Sequence, residues 1–240
     1  MQSEPYPVPA ARHRVEQVVR RSRFITTVAH AATAEDARTV IDEVRAEYAD
    51  ATHNCWAFAA GPPASTAAVG MSDDGEPHGT AGRPMLEALL HSGVGEIVAV
   101  VTRYFGGVKL GKGGLARAYA GGVTQALETL PLVRKVVRTP VRVTLEYAAL
   151  EPLRRLAADH DARIHEEEFT AHVTVHLGVP ESELQNFRTA VAGLTAGQAK
   201  VELADAADGG DDDPDVERSS NADRVAEDEN EDDPDPERRR

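Results

Sequence analysis

Two glycine-rich turns, each opening onto a helical pattern, hold the residues of this chain best suited to chemistry. The first, Gly79-Thr80-Ala81-Gly82-Arg83-Pro84, runs into Met85–Leu90. The second, Gly106-Gly107-Val108-Lys109-Leu110-Gly111-Lys112-Gly113-Gly114, runs into a segment carrying Leu115, Tyr119, Val123 and Leu127. A helix start presents N–H groups without intrahelical partners and the positive end of the helix dipole, so an anion can bind where no side chain blocks it. Each turn also places a cation, Arg83 or Lys112, at its helix start, which is unfavourable by roughly 0.3–1 kcal/mol unless negative charge sits nearby. A phosphate or carboxylate ligand would resolve both cases. The contacts would come from Arg83, Arg103, Lys109, Lys112, Gly113, Gly114 and Arg117, with Tyr104 and Phe105 able to stack on bases if exposed. Glycine serves tight turns and close packing equally well, so spacing alone leaves that reading open. The second turn has no Ser or Thr after Lys112 and no G-x-G-x-x-G, so it is neither a P-loop nor a dinucleotide fingerprint.

Other reactive side chains are sparse. Asp73, Asp74 and Glu76 could hold a hard cation beside a phosphate, yet Asp73-Asp74-Gly75 is also a turn sequence and is read as one. His53 and Cys55 share a strand face at period two, with His78 a further weak candidate. A zinc site needs three or four converging ligands, and a lone cysteine among apolar neighbours is expected to be a small buried residue. No catalytic set, metal site or cofactor is assigned.

These residues are positioned by a pattern of strands and helices. Residues 1–13, with three prolines, read as a mobile lead-in. Arg20–Ala29 reads as a strand entered from a basic segment, Ala34–Tyr48 as a helix capped by Thr33, and His53–Ala60 and Ala67–Met71 as strands. Ile97–Val101 is the apolar heart of a strand spanning Glu96–Phe105. Gly121-Gly122, inside the last helix of this half, costs about 1 kcal/mol per residue and is expected to allow close packing on the sheet. Leu132–Arg138 reads as a basic linker.

The second half, Val141 to Leu203, follows a β-α-β-β-α-β order, the ferredoxin-like signature. Its Ala171–Leu177 alternation leaves His172, Thr174 and His176 on a face expected to be wet. The fold class is α+β, with domains at 14–134 and 139–204.

Net charge is −14, but residues 205–240 carry 16 acidic and 5 basic residues, or −11, leaving −3 for the body. That tail is expected to be disordered. A near-neutral body argues against a strongly basic nucleic-acid binder but permits a local patch. The chain has one cysteine, no apolar run near 18 residues and no secretory layout at Met1–Tyr6, which together predict a cytoplasmic protein without a membrane span.

SDDGEP at Ser72–Pro77, GTAGRPML at Gly79–Leu86 and RYFGGVKLGKGGLARAY at Arg103–Tyr119 resemble the IMPACT/YigZ family, as do SRFIT at Ser22–Thr26 and HNCWAF at His53–Phe58. The resemblance runs from about Arg14 to Asp205. It implies a first domain similar to the second domain of ribosomal protein S-five and a second similar to the fifth domain of elongation factor G. It also implies a translation-linked role, with RNA or the ribosome as partner and no established reaction. Two alternatives remain: a phosphate- or nucleotide-dependent enzyme using Gly111–Leu115, and a protein-interaction module. Oligomeric state is not legible.

Overall fold

The computed structural model describes residues 4–204. The expected disorder of the acidic tail lies outside them. The first half is built on a five-stranded antiparallel sheet in the order β2-β3-β6-β4-β5, where β2 is His13–Val19, β3 Ser22–His30, β4 His53–Ala59, β5 Val69–Ser72 and β6 Ile97–Tyr104. Helix α1 (Ala34–Glu47) covers one face. Helices α2 (Gly82–Leu90) and α3 (Lys112–Glu128) cover the other.

This sandwich explains why β6 reads as an unbroken apolar run. Val98 and Val100 pack with Ile41 and Val44 on the α1 side, while Ile97, Ala99 and Val101 pack with Met85, Leu89 and Tyr119 on the other. A central strand covered on both faces has no wet side to alternate towards. Helix α1 starts with the expected cap, in which Thr33 accepts the Asp36 N–H and Asp36 accepts that of Thr33.

The mobile lead-in and the basic linker are both corrected. Tyr6–Pro9 forms a strand, β1, paired with Leu132–Lys135, β7. Tyr6 and Val8 are buried there with Val133. A two-stranded ribbon tolerates Pro7 and Pro9 because an edge can spare ladder donors. Strand β2 also went unforeseen. Its Val15 and Val19 face the core while Val18 faces out at 67% exposure, so it is half-wet and polar, as an edge strand can be. Arg20 and Arg21, expected to enter β3, instead form the β2–β3 turn with positive φ values of 46° and 67°.

The second half runs β8 (Arg138–Leu145), α4 (Leu150–Asp159), β9 (Arg163–Phe169), β10 (Val173–Pro180), α5 (Leu184–Leu194) and β11 (Lys200–Leu203). Its antiparallel order β11-β8-β10-β9 is that of a ferredoxin-like sheet. Val173, Val175 and Leu177 meet Leu153, Phe187 and Val191 beneath α4 and α5. His176 faces away from the helices but is only 5% exposed, because Glu168 lies 3.3 Å away and Arg142 and Glu166 flank it in register. The expectation that it is wet is therefore corrected.

Candidate functional site

The two helix starts differ in the way that matters for an anion. At α2, Asp73 already supplies the negative charge: one carboxylate oxygen accepts the N–H of Ala81 at 3.0 Å and of Gly82 at 2.9 Å, and the other accepts that of Gly79 at 2.7 Å. Burial alone would raise this carboxyl, but the three backbone donors outweigh it and hold the group below the ordinary Asp range. Arg83 is exposed and paired with Glu87 at 3.0 Å. The first turn therefore needs no external anion. Asp74 is committed as well, to Arg45 at 3.0 Å and to the Asn54 N–H at 2.6 Å.

Among the described residues, helix α3 has no such internal partner. Its N-cap is Gly111, with no capping side chain and no acidic residue in the first turn. Lys109, Lys112 and Arg117 are exposed, and no hydrogen bond or ion pair engages them among the described residues. A Cβ on Gly113 would lie 3.6 Å from an Arg117 terminal nitrogen, which places that guanidinium back over the first turn; one on Gly114 would lie 3.1 Å from Leu110.

Tertiary packing adds two cations that the linear spacing does not reveal. A Cβ on Gly106 would lie 2.0 Å from the Arg21 carbonyl oxygen, so the glycine loop lies directly against the β2–β3 turn. The Gly106 N–H also donates to Ser22 Oγ at 3.2 Å. At the adjoining stretch of β2, Gln17 donates to the Ala118 carbonyl at 2.8 Å. Arg20 and Arg21 thus share one end of the sheet with the start of α3. Both are exposed, and neither has a partner among the described residues. The only sequence signal was the basic run at Arg20–Arg23.

Arg103 is not part of this surface. It is 5% exposed, paired with Glu76, and lies 5.4 Å and 5.5 Å from the ring centroids of Phe24 and Phe105. Tyr104 donates its hydroxyl to Asp50 at 2.7 Å and lies beneath Arg23. Phe105, 49% exposed, is the ring left facing solvent at the head of the loop.

Behind the loop is a buried polar network. Glu76 accepts from Arg103 and, at 2.8 Å, from the Tyr119 hydroxyl. The Cys55 thiol donates to the Asp73 carbonyl at 2.9 Å and lies 3.4 Å from the Tyr119 hydroxyl. Burial pushes this thiol up to about 12; the Tyr119 contact opposes the rise, and the charges of Glu76, Asp74 and Asp73 add to it. Burial, with Cys55 and Glu76 adding to it, also raises Tyr119. A reactive cysteine needs the opposite setting, exposed and electropositive. His53 donates from Nδ1 to the Asp74 carbonyl at 2.7 Å, while the fully exposed His78 lies 3.6 Å from Asp73. This arrangement ties three glycine-flanked segments together rather than aiming a nucleophile at a cleft.

The fold and site together define a two-domain α+β protein whose first domain carries a cationic glycine loop against a buried carboxylate network. The chain matches the Impact N-terminal domain over residues 20–127 and the domain of unknown function DUF1949 over residues 143–198. It is 42% identical over 198 residues to the IMPACT family member YigZ of Escherichia coli, covering 82% of this chain and 97% of that protein. An IMPACT family member of Haemophilus influenzae is 40% identical over the same length, and YvyE of Bacillus subtilis, a third member, 33% over 186 residues. A crystal structure described as that of a hypothetical protein superposes with a TM-score of 0.64 at 41% identity, covering 85% of this chain and 99% of that one. The chain belongs to the IMPACT family. Among the described residues, no helix is long and apolar enough to cross a membrane.

Proposed function

We propose that this protein is a non-enzymatic, cytoplasmic, translation-associated factor that binds RNA, free or within the ribosome, through the start of α3. Family membership fits a translation-related role. The observation that carries the RNA reading is the contrast between the two helix starts: Asp73 fills the first, while the second is uncapped and surrounded by Lys109, Lys112, Arg117, Arg20 and Arg21. Phosphate oxygens would take the N–H groups of the glycine loop and the flanking cations. Phe105 would offer a face for one unstacked base. Five separate cations suit a polyanion better than a single phosphate.

The nucleotide-dependent enzyme is the weaker reading because the carboxylates nearest the loop are committed. Asp73 caps α2, Asp74 holds Arg45 and the Asn54 N–H, and Glu76 holds Arg103 and Tyr119. The discriminating experiment is thermal unfolding with a single-stranded RNA, with ATP and magnesium, and with inorganic phosphate. A ligand selective for the native state raises the midpoint by mass action. A salt-sensitive rise with RNA alone is expected. A magnesium-dependent rise with ATP and none with RNA would overturn the proposal.

A further inference from the structure

The cationic face at the start of α3 and the acidic tail are opposite in charge within one chain. Residues 205–240 number 36 and carry a net −11. YigZ of Escherichia coli is 97% covered by a match of only 198 residues, and the DUF1949 match ends at residue 198, so the tail's role must be sought in this chain's own chemistry. The last described strand, β11, ends at Leu203.

Several other exposed cations already have acidic neighbours. Arg38 shares its helix with Glu35 and Asp42, and Arg155 with Glu151 and Asp159, each at the i±3 or i±4 spacing that brings side chains together. Arg14, Arg23 and Arg154 already hold carboxylates. At the α3 end, by contrast, Arg20, Arg21, Lys109, Lys112 and Arg117 gather around an uncapped helix start without a carboxylate of their own among the described residues.

We propose that the segment from Asp205 to Arg240 docks in cis on the face formed by Arg20, Arg21, Lys109, Lys112 and Arg117, and there competes with RNA. The competition rests on the proposed function, whereas the docking itself does not require RNA to be the ligand of this surface. Reach is not limiting, because 36 residues can span about 120 Å, well beyond the roughly 35 Å width of a domain this size. Tethering supplies the rest: a covalently attached segment acts at a local concentration on the order of millimolar. Many weak charge contacts then suffice, and they weaken with salt.

The chain's lysine content gives a direct test. It has four lysines, Lys109, Lys112, Lys135 and Lys200. Lys135 is bonded to Glu96, and Lys200, five residues before the tail begins, to Glu202. Zero-length carbodiimide coupling of the full chain at low salt should join Lys109 and Lys112 to tail carboxylates within one molecule. Those links should fall at about 300 mM salt and on addition of a fluorescein-labelled single-stranded RNA. Changing 11 of the 16 acidic residues from Asp205 onward to their amides, which leaves five acidic and five basic residues and so a neutral tail, should tighten that RNA about tenfold at about 50 mM salt, with the gap closing as salt rises.

Links confined to Lys200, or links at Lys109 and Lys112 formed only between molecules, would overturn the proposal. So would an unchanged RNA affinity in the neutralised chain when RNA does bind there through Lys112. Intramolecular links at Lys109 and Lys112 with no RNA binding by the neutralised chain would keep the tail contact and remove the RNA reading.

Discussion

The carboxylate of Asp73 lies 2.9 Å from the backbone N–H of Gly82 and caps helix α2 from nine residues upstream. Together with the bonds to Ala81 and Gly79, this makes the first glycine turn a self-contained anion site. Helix α3 begins the same way in sequence, with glycines and a cation, but without such a carboxylate among the described residues. The difference separates a turn that supplies its own anion from one that, among the described residues, does not.

Asp73→Ala should lower stability by about 2 kcal/mol, the loss of a charged cap with several backbone donors. Asp73→Asn should recover part of that, since the amide oxygen can still accept. Chemical denaturation of the two variants measures this, and equal stability of Asp73→Ala and wild type would show that the cap contributes nothing.

Acid sensitivity should centre on Glu96. This residue holds a left-handed φ of 50° and accepts from His30 at 2.7 Å, Lys135 at 2.8 Å and Tyr6 at 2.9 Å. Burial would raise its carboxyl, but His30 and Lys135, with Tyr6, hold it down from 4.5 to about 2. A depressed acid stabilises the fold above its unfolded value and loses that contribution as pH falls through the folded one. The thermal midpoint should therefore drop between about pH 4.5 and pH 2, with Asp73, also depressed, contributing in the same direction. In Glu96→Gln the drop should be shallower and the neutral-pH midpoint already lower.

The adjacent glycines of α3 should behave oppositely. A Cβ on Gly122 would lie 2.6 Å from Thr26 Oγ1 and 2.9 Å from Gln17 Nε2, whereas one on Gly121 would meet nothing within 4 Å. Gly122→Ala is expected to cost about 1–3 kcal/mol through overpacking. Gly121→Ala should gain about 0.5–1 kcal/mol from helix propensity and lost unfolded-state freedom. Matching destabilisation of both would contradict the packing derived for α3.

Cys55 should be inert in the native state. Its thiol is buried, hydrogen-bonded and pushed up to about 12, so iodoacetamide labelling of the native chain should be far slower than that of the unfolded chain at both pH 7 and pH 9. Native-state labelling as fast as that of the unfolded chain would mark an accessible thiol and reopen a nucleophilic role.

Most of the scaffold was legible where periodicity is strong. The ferredoxin-like order of the second half follows from alternating Val and Leu in its strands and helical spacing in α4 and α5, and the Thr33 cap of α1 is a local pattern. Strands β1 and β2 were not legible. Pro7 and Pro9 suggest a free segment until β7 supplies a partner, and β2 alternates weakly because it is a half-wet edge. Within the site, Lys109, Lys112 and Arg117 could be read from spacing. Arg103 could not be separated from them, because its burial depends on Glu76, 27 residues away in sequence. Arg20 and Arg21 join the site only through the close approach of Gly106 to a turn 85 residues earlier, a contact that no local rule encodes.

The most direct test of the account is fluorescence anisotropy of a labelled single-stranded RNA against salt concentration. It compares the wild-type chain with a variant carrying Lys109→Ala, Lys112→Ala and Arg117→Ala, and uses Arg83→Ala as a control. Each phosphate contact contributes about 0.7 to the slope of log affinity against log salt for a single strand. Loss of three cations should weaken binding at low salt and flatten the slope by about 2, while Arg83→Ala changes neither. Identical affinity and slope for the triple variant and wild type would contradict the assignment of RNA binding to the start of α3.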